Sequence, residues 1–383
     1  MLIALSAALP LLLSPIEEPT EMNYRTALID RFWDFAESAD LVGLLDGERS
    51  ASRPPVFKSE YTNHNLLFPN TGDSNYKAQL TNVIPQSRRH RWFRSMTSSQ
   101  ALAQSVFGNL HLLGCVHVLE GLQTEDGSPF LDYLPLRVEL EYEVNCLGEP
   151  RPTSVDVLFE GPHRYRIAVE CKLSEPDVGS CSRPRLTPDD ANYCRDYCDG
   201  SYAPQRGRIE RCSLTAIGVR YWDHVPALFD WSSEDDQPEC PLRLTYQLVR
   251  NVLAACVRQG DLGGATTASP VHGHAVLLYD ERNPAFLDGG AGDREFRNVS
   301  KALKVGSLLR RCSWQALAGT LGQVPQLGWL VDGMARKYGI EGHAAPYNEA
   351  GLRVLKPPVI GRTGAGDLLG LRRLQGSAPF WLG

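Results

Sequence analysis

The hydrophobic and polar positions of residues 153–172, TSVDVLFEGPHRYRIAVECK, form two short alternating runs around a Gly-Pro pair. This pattern is typical of a β-hairpin. Since successive side chains of a strand point to opposite faces, the second run predicts an apolar face and a face that carries Glu170 and Lys172. In the first run the same alternation sends Val155 to the apolar face and Asp156 to the other. We therefore expect Asp156 to lie beside Glu170 when the two runs pair.

Other periodic segments predict the helices and strands around this hairpin. Helical spacing of apolar residues predicts helices over residues 24–46, 99–119, 242–258, 307–321 and 327–338. Alternation and a continuous apolar run predict strands over residues 136–144 and 274–280. The order helix, strand, strand, strand, helix, strand over residues 98–280 indicates an α/β fold with a mixed central sheet flanked by helices.

The polar face of the hairpin has a chemistry of its own. Two carboxylates on neighbouring strands can hold a hard divalent cation, and Mg²⁺ takes only one or two protein carboxylates in many sites. A lysine one pleat further along can orient a water molecule or stabilise negative charge in a transition state. The alternative is a solvated strand face on which these charges meet by chance.

The motif Asp156, thirteen intervening residues, then Glu170-Cys171-Lys172 resembles the PD-(D/E)xK nuclease superfamily, which has the restriction-endonuclease-like fold. Val155, and not proline, precedes the aspartate. The resemblance implies that Asp156 and Glu170 bind Mg²⁺ and that Lys172 assists the attacking water. It also implies that Cys171 offers its main-chain carbonyl oxygen to the metal.

A third carboxylate is expected from the strand over residues 136–144. Its three glutamates share one face, where they repel one another unless a cation or arginines lie against them. Glu141 is the candidate to join the metal site, and a solvated strand face is the alternative for all three.

Four of the ten cysteines cluster after the hairpin, in a loop-rich stretch over residues 174–240 that we interpret as a cysteine-rich insertion. They are Cys181, Cys194, Cys198 and Cys212. Thiolates bind zinc and iron–sulfur clusters, and a Cys-x₃-Cys pair has a usual ligand spacing. The pattern predicts a structural Zn²⁺ ion or an iron–sulfur cluster, while buried free thiols remain an equal alternative.

The formal net charge of −6 gives the whole chain no attraction for nucleic acid, so a DNA partner requires a local basic surface. Residues 88–94, RRHRWFR, interleave arginines with aromatics and are a candidate for that surface. Arginines at a helix entry with aromatics in the core are the alternative.

The chain divides into three predicted parts. Residues 1–96 form an N-terminal helix and an extended arm, residues 97–343 a nuclease-like catalytic domain, and residues 344–383 a Pro/Gly-rich C-terminal tail. The apolar stretch over residues 2–14 lacks a basic flank and is too short to span a bilayer, so we expect translation to begin at Met22 and the protein to be cytoplasmic.

Together these features predict a metal-dependent DNA endonuclease of the restriction or defence type. Two alternatives stay open, namely a catalytically inert DNA-binding or scaffold protein with a nuclease-like core, and an RNA-processing nuclease. Enzymes that cut both DNA strands often act as dimers, so a homodimer stays an alternative. The sequence shows no recognisable dimer interface.

Overall fold

The computed structural model describes residues 21–70, 72–150, 152, 154–202, 209–260 and 265–343, with the side chains of residues 21–23 left aside. The apolar stretch over residues 2–14 and the predicted tail over residues 344–383 lie outside these residues. No helix in the described part of the chain is both long and apolar enough to cross a membrane.

Seven strands and eleven α-helices are assigned within the described ranges. The strands are β1 (Arg137–Glu143), β2 (Ser154–Glu160), β3 (Arg166–Cys171), β4 (Val257–Gln259), β5 (Thr266–Ala268), β6 (Gly273–Tyr279) and β7 (Leu309–Ser313). The helices are α1 (Glu21–Ser38), α2 (Ser74–Val83), α3 (Ser99–Ala103), α4 (Asn109–Leu112), α5 (Tyr193–Asp196), α6 (Ser213–Ala216), α7 (Tyr221–Leu228), α8 (Leu242–Cys256), α9 (Ala291–Ala302), α10 (Trp314–Gly322) and α11 (Gly328–Tyr338).

The central sheet has five strands in the order β1-β2-β3-β6-β7. The first three strands are antiparallel, whereas β6 and β7 run parallel to β3. The predicted hairpin is present, with Val157 opposite Val169 across β2 and β3. The mixed α/β architecture flanked by helices is therefore confirmed. Strands β4 and β5 form a separate two-stranded sheet.

Both faces of the central sheet are covered, so two hydrophobic cores form. Val157 and Val169 belong to one core together with side chains of α1, α3, α10 and α11. Leu158 and Ala168 belong to the other, which includes α7 and α8. Every residue of β3 is buried. The alternative of a solvated strand face around Glu170 is wrong, because α8 packs across β3 and β6.

Val155 lies in the α8-side core and not with Val157, which corrects its predicted facing. The facing of side chains towards the two cores reverses at the level of Glu141 of β1, whose backbone is left-handed with φ of 53°. Leu140 and Tyr142, on either side of Glu141, likewise pack into different cores. A local irregularity of this kind bends a strand and redirects its side chains.

The segment predicted as one helix over residues 307–321 begins with strand β7, so that part of the prediction is wrong. Arg310 and Arg311 interrupt the apolar pattern of this strand, yet both have carboxylate partners. Arg310 makes two hydrogen bonds of 2.9 Å to Asp132, and Arg311 lies 2.7 Å from Asp293. Paired in this way, arginines can occupy a covered sheet.

The predicted helix over residues 99–119 is broken into shorter pieces. Ser98 caps α3 by accepting from the amide of Ala101 at 3.2 Å, as expected of an N-cap serine. A π-helical turn over Gln104–Gly108 separates α3 from α4, and left-handed Gly114 follows the end of α4. Helix α2 lies in the stretch predicted to be an extended arm.

Candidate active site

Strands β1, β2 and β3 place three carboxylates in one row across the sheet. Val157 is opposite Val169, so the next pair along the two strands is Asp156 and Glu170. On the other side of β2, the β1 register continued through its irregular residue sets Glu141 opposite Asp156. The hairpin pattern therefore predicted that Glu170 is a neighbour of Asp156. Glu141 of the first strand is the third acid of the row.

Asp156 is the central member of the row and is half-buried between Glu141 and Glu170, which are both buried. Its Oδ2 accepts a hydrogen bond of 2.6 Å from the backbone amide of Cys171. Burial, and then the negative charges of Glu170 and Glu141, raise its pKa well above the usual value. The Asp156 carboxylate is thus held where its own negative charge is disfavoured unless a cation lies nearby.

Glu170 and Lys172 form a buried ion pair, with the Lys172 Nζ atom 2.9 Å from Glu170 Oε1. Burial alone would raise the pKa of Glu170, but the charges of Lys172 and Arg250 and a hydrogen bond from Asn251 hold it below its usual value. Burial would lower the pKa of Lys172, but the neighbouring carboxylates raise it. Both side chains are therefore charged.

The backbone of Lys172 is fixed on both sides by the parallel part of the sheet. Its amide donates to the Leu278 carbonyl at 2.7 Å, and its carbonyl accepts from the Trp314 indole Nε1 at 3.0 Å. Trp314 is fully buried at the start of α10. The strand end that carries the lysine therefore has little freedom to move.

Helix α8 supplies a polar stripe that faces Glu170 and Lys172. Gln247 accepts a hydrogen bond of 2.7 Å from Lys172, and Asn251 donates to Glu170 Oε2 at 2.6 Å. Arg250 lies 3.6 Å from the same oxygen and is 2% exposed. Gln247 is half-buried and its side chain is directed at Lys172. The sequence signal for this stripe is the i, i+3, i+4 spacing of its three polar residues, which places them on one face of a helix.

Glu141, the residue of β1 with the left-handed backbone, is buried. Ser154 donates to its carboxylate, and Gln100 of α3 also bonds to it. Burial raises the pKa of Glu141, and the charge of Glu170 adds to this effect. The structure therefore brings Glu141 together with the other two acids. The other two glutamates of β1 are more accessible and pair with arginines, Glu139 with Arg137 and Glu143 with Arg88.

The residues of the row fit the Mg²⁺ ion that the resemblance implies. Carboxylate oxygens are the ligands that this hard cation prefers, and one or two protein carboxylates suffice for it. The mutual repulsion that raises the pKa of Asp156 would be relieved by a cation in the row. No three His, Cys, Asp or Glu side chains of the described residues are already arranged as a complete metal-binding group.

A basic segment and a cleft lie next to the row. Gln100, which bonds Glu141, also accepts from the His90 amide and donates to the Arg88 carbonyl. Arg91 and Trp92 in this segment are exposed and stack on each other, with 5.1 Å between the guanidinium carbon and the ring centroid. On the α8 side, Gln247 and Arg250 line a cleft of about 680 Å³ that also contains Arg183 and Arg195.

The four predicted cysteine ligands separate into two groups. Cys181, Cys198 and Cys212 line one small cavity together with Cys240, which the spacing argument did not include. Cys194 is exposed and is not one of the residues around that cavity. Cys171 is buried in the core opposite α8, in agreement with its predicted side-chain facing.

Comparison with known proteins identifies the family. No curated protein and no solved structure gives a significant match to this chain. A protein family described as restriction endonuclease associating with ARP matches residues 47–339, a span that includes the whole acidic row and the helix above it. The chain therefore belongs to this restriction-endonuclease family.

Proposed function

We propose that the protein is a Mg²⁺-dependent endonuclease that hydrolyses phosphodiester bonds of DNA, of the restriction or defence type. The observation that carries the proposal is the convergence of Asp156, Glu170 and Lys172 at the end of β3. Membership of a restriction-endonuclease family supports the reaction class. A row of carboxylates beside a charged lysine suits phosphoryl transfer. Such catalysis consists of positioning the reacting groups and of stabilising the charge that develops in the transition state.

In this mechanism Asp156, Glu170 and the Cys171 carbonyl oxygen would hold the cation, and Glu141 would be the third carboxylate. When bound, Mg²⁺ supplies positive charge against which negative charge on the phosphate develops. Lys172 orients the attacking water and stabilises the transition state through its ammonium group. Asn251 fixes Glu170 through its hydrogen bond of 2.6 Å, so the lysine keeps its partner during the reaction.

The basic segment over residues 88–94 and the cleft beside α8 are the proposed contacts to the DNA backbone. Exposed Arg91 and Trp92 offer a cation and a stacking surface on one side of the row. Arg183 and Arg195 lie on the other side, although both are partly neutralised by Asp196. Local positive charge is needed here because the whole chain is acidic, with a net charge of −6.

The proposal is tested by incubating purified full-length protein with supercoiled plasmids and phage genomic DNA, which together offer many sequences, in Mg²⁺ or in EDTA. Nicked or linear products should appear only with Mg²⁺. The variant Lys172→Gln removes the ammonium charge and keeps a polar side chain, so we expect cleavage to fall by about 10²–10³-fold.

The matched control is Lys301→Gln on the exposed side of α9, which should cleave like the wild type. Circular dichroism and thermal unfolding verify that both variants are folded. A folded Lys172→Gln protein with full activity contradicts the assignment. DNA binding without cleavage under all metal conditions supports the inert scaffold instead, and preferential cleavage of competitor RNA supports an RNA-processing nuclease.

A further inference from the structure

Four cysteines from separate parts of the chain line one small cavity away from the acidic row. Cys181 follows β3, Cys198 follows α5, Cys212 directly precedes α6, and Cys240 lies two residues before α8. The cavity has a volume of about 10 Å³, which is close to the space that a single water molecule requires. A space of this size accommodates one atom.

The four residues, which we call the cysteine cluster, bring their thiols close together around this cavity. Cys212 and Cys240 interact directly through their thiols, and Cys181 lies within electrostatic range of Cys198 and Cys212. All four are free thiols. Thiols are weak hydrogen-bonding groups, so their mutual contacts alone give little reason for four of them to meet at one point.

Backbone amides are directed at three of the four sulfurs in a repeated pattern. Each donor lies two residues after the cysteine that it contacts. The pairs are Arg183 with Cys181, Leu214 with Cys212, and Leu242 with Cys240. Amides of this kind favour a sulfur that carries negative charge, and they orient thiolate ligands at metal centres. These amides would therefore stabilise negative charge on the three sulfurs if the thiols lose their protons.

A second, independent feature of the cavity is an unpartnered polar atom. Ser213 lines the cavity and is completely buried, and its Oγ has no hydrogen-bonding partner among the described residues. An orphan hydroxyl in a dry site is costly unless a further group completes its surroundings.

The chain segments that carry the cluster are already tied together by backbone hydrogen bonds. The Cys181 amide donates to Arg243 at 2.9 Å, and the Cys240 amide donates to Gly200 at 2.8 Å. Between β3 and α8 the regular helices are short, since α5 and α6 have four residues each and α7 has eight. Segments with so little regular structure of their own gain stability when a metal ion joins them.

We propose that Cys181, Cys198, Cys212 and Cys240 bind one structural zinc ion in tetrahedral coordination. Four sulfur ligands and a cavity of single-atom size fit a mononuclear site better than an iron–sulfur cluster, which contains several iron and sulfide atoms. In the described structure no three His, Cys, Asp or Glu side chains are placed to hold a metal ion, so the proposed site requires the thiols to rotate towards the cavity. Exposed Cys194 is not a ligand.

The test measures metal content by inductively coupled plasma mass spectrometry on full-length protein purified under reducing conditions. We expect one zinc per chain in the wild type and in Cys194→Ser, and loss of at least half of the zinc in Cys240→Ser. Titration of the wild-type thiols with a mercurial reagent should release one zinc, which tests the site without relying on the folding of a variant.

Three results overturn the proposal. The first is a Cys240→Ser protein that keeps its zinc while Cys194→Ser loses it. The second is iron and acid-labile sulfide in place of zinc. The third is a Cys212–Cys240 disulfide, detected by mass spectrometry, in protein that contains no metal. The measurement requires no nuclease activity, so its outcome is independent of the proposed catalytic function.

Discussion

At the scale of single residues, the most informative group is Asp156, whose negative charge is opposed by burial and by two neighbouring acids. Replacing it with asparagine keeps an oxygen that accepts from the Cys171 amide and removes that charge. We expect Asp156→Asn to lose about 10²–10³-fold in cleavage. We also expect the metal-free variant to be as stable as the wild type or more stable by about 1–2 kcal/mol.

Urea unfolding in EDTA at pH 8 measures this difference. Glu160→Gln, at the other end of β2, is the control and should retain full cleavage. A strongly destabilised Asp156→Asn protein would contradict this expectation, because it would show that the carboxylate stabilises the folded state.

Much of this site could be predicted from the sequence, because the side chains of a strand alternate between its two faces with a period of two residues. The alternation placed Asp156 beside Glu170 and put Lys172 on the same face. It did not give the partners Gln100, Arg250 and Asn251, because they belong to helices whose rotation over the sheet no local pattern specifies. Cys240 was missed for a similar reason, since its nearest partner, Cys212, is distant along the chain.

At the scale of elements, α8 contacts Glu170 and Lys172, the lysine proposed to be catalytic. Its Asn251 is 1% exposed and is bonded to Glu170, so truncation leaves a buried carboxylate oxygen without this donor. We expect Asn251→Ala to lower the free energy of unfolding by about 1–3 kcal/mol. We expect cleavage to decrease as well, because Glu170 then loses a contact that positions Lys172.

Urea denaturation followed by circular dichroism and plasmid cleavage provide the two measurements. Asn298→Ala, at an exposed position of α9, is the matched control and should change neither quantity. An Asn251→Ala protein with unchanged cleavage would show that α8 covers the site without organising it.

Strand β7 shows why some elements were missed. Its sequence, LRRCS, has two adjacent arginines where a buried strand should be apolar. The arginines are accommodated by Asp132 and Asp293, residues distant in sequence that only the folded chain brings close. A pattern read over ten residues contains no information about such partners.

At the scale of the whole molecule, Asp293 of α9 joins this helix to β7, the edge strand of the central sheet. It lies 2.7 Å from Arg311 of β7 and 2.9 Å from Arg297 of α9. Burial would raise the pKa of Asp293, but these arginines hold it below the usual value. Because the folded pKa is the lower one, this stabilisation is fully present above the unfolded pKa of about 4 and is lost as the pH falls below it.

We therefore expect Asp293→Asn to lower the free energy of unfolding by about 1–3 kcal/mol at pH 7. The difference from the wild type should shrink as the pH decreases from about 5 to 3. Urea unfolding over this pH range measures it. Asp288→Asn is the control, since Asp288 is almost fully exposed beside the same Arg297. A difference that stays constant with pH would mean that the carboxylate charge is not the cause.

The two cores on either side of the sheet were predictable only in part. The buried run of β6 indicated a strand covered on both faces, and this was confirmed. For β3 the sequence left a solvated face open as an alternative, because acids of a buried site alternate along a strand in the same way as acids of an exposed face. A charged strand face that is covered by a helix is thus the feature that hydropathy patterns most easily misjudge.

The bond from the Trp314 indole to the Lys172 carbonyl gives the centre a built-in optical probe. Indole emission responds to the electric field around the ring, and the proposed divalent cation between Asp156 and Glu170 would alter that field. Fluorescence of the protein would therefore report occupancy of the proposed metal site in the absence of any nucleic acid.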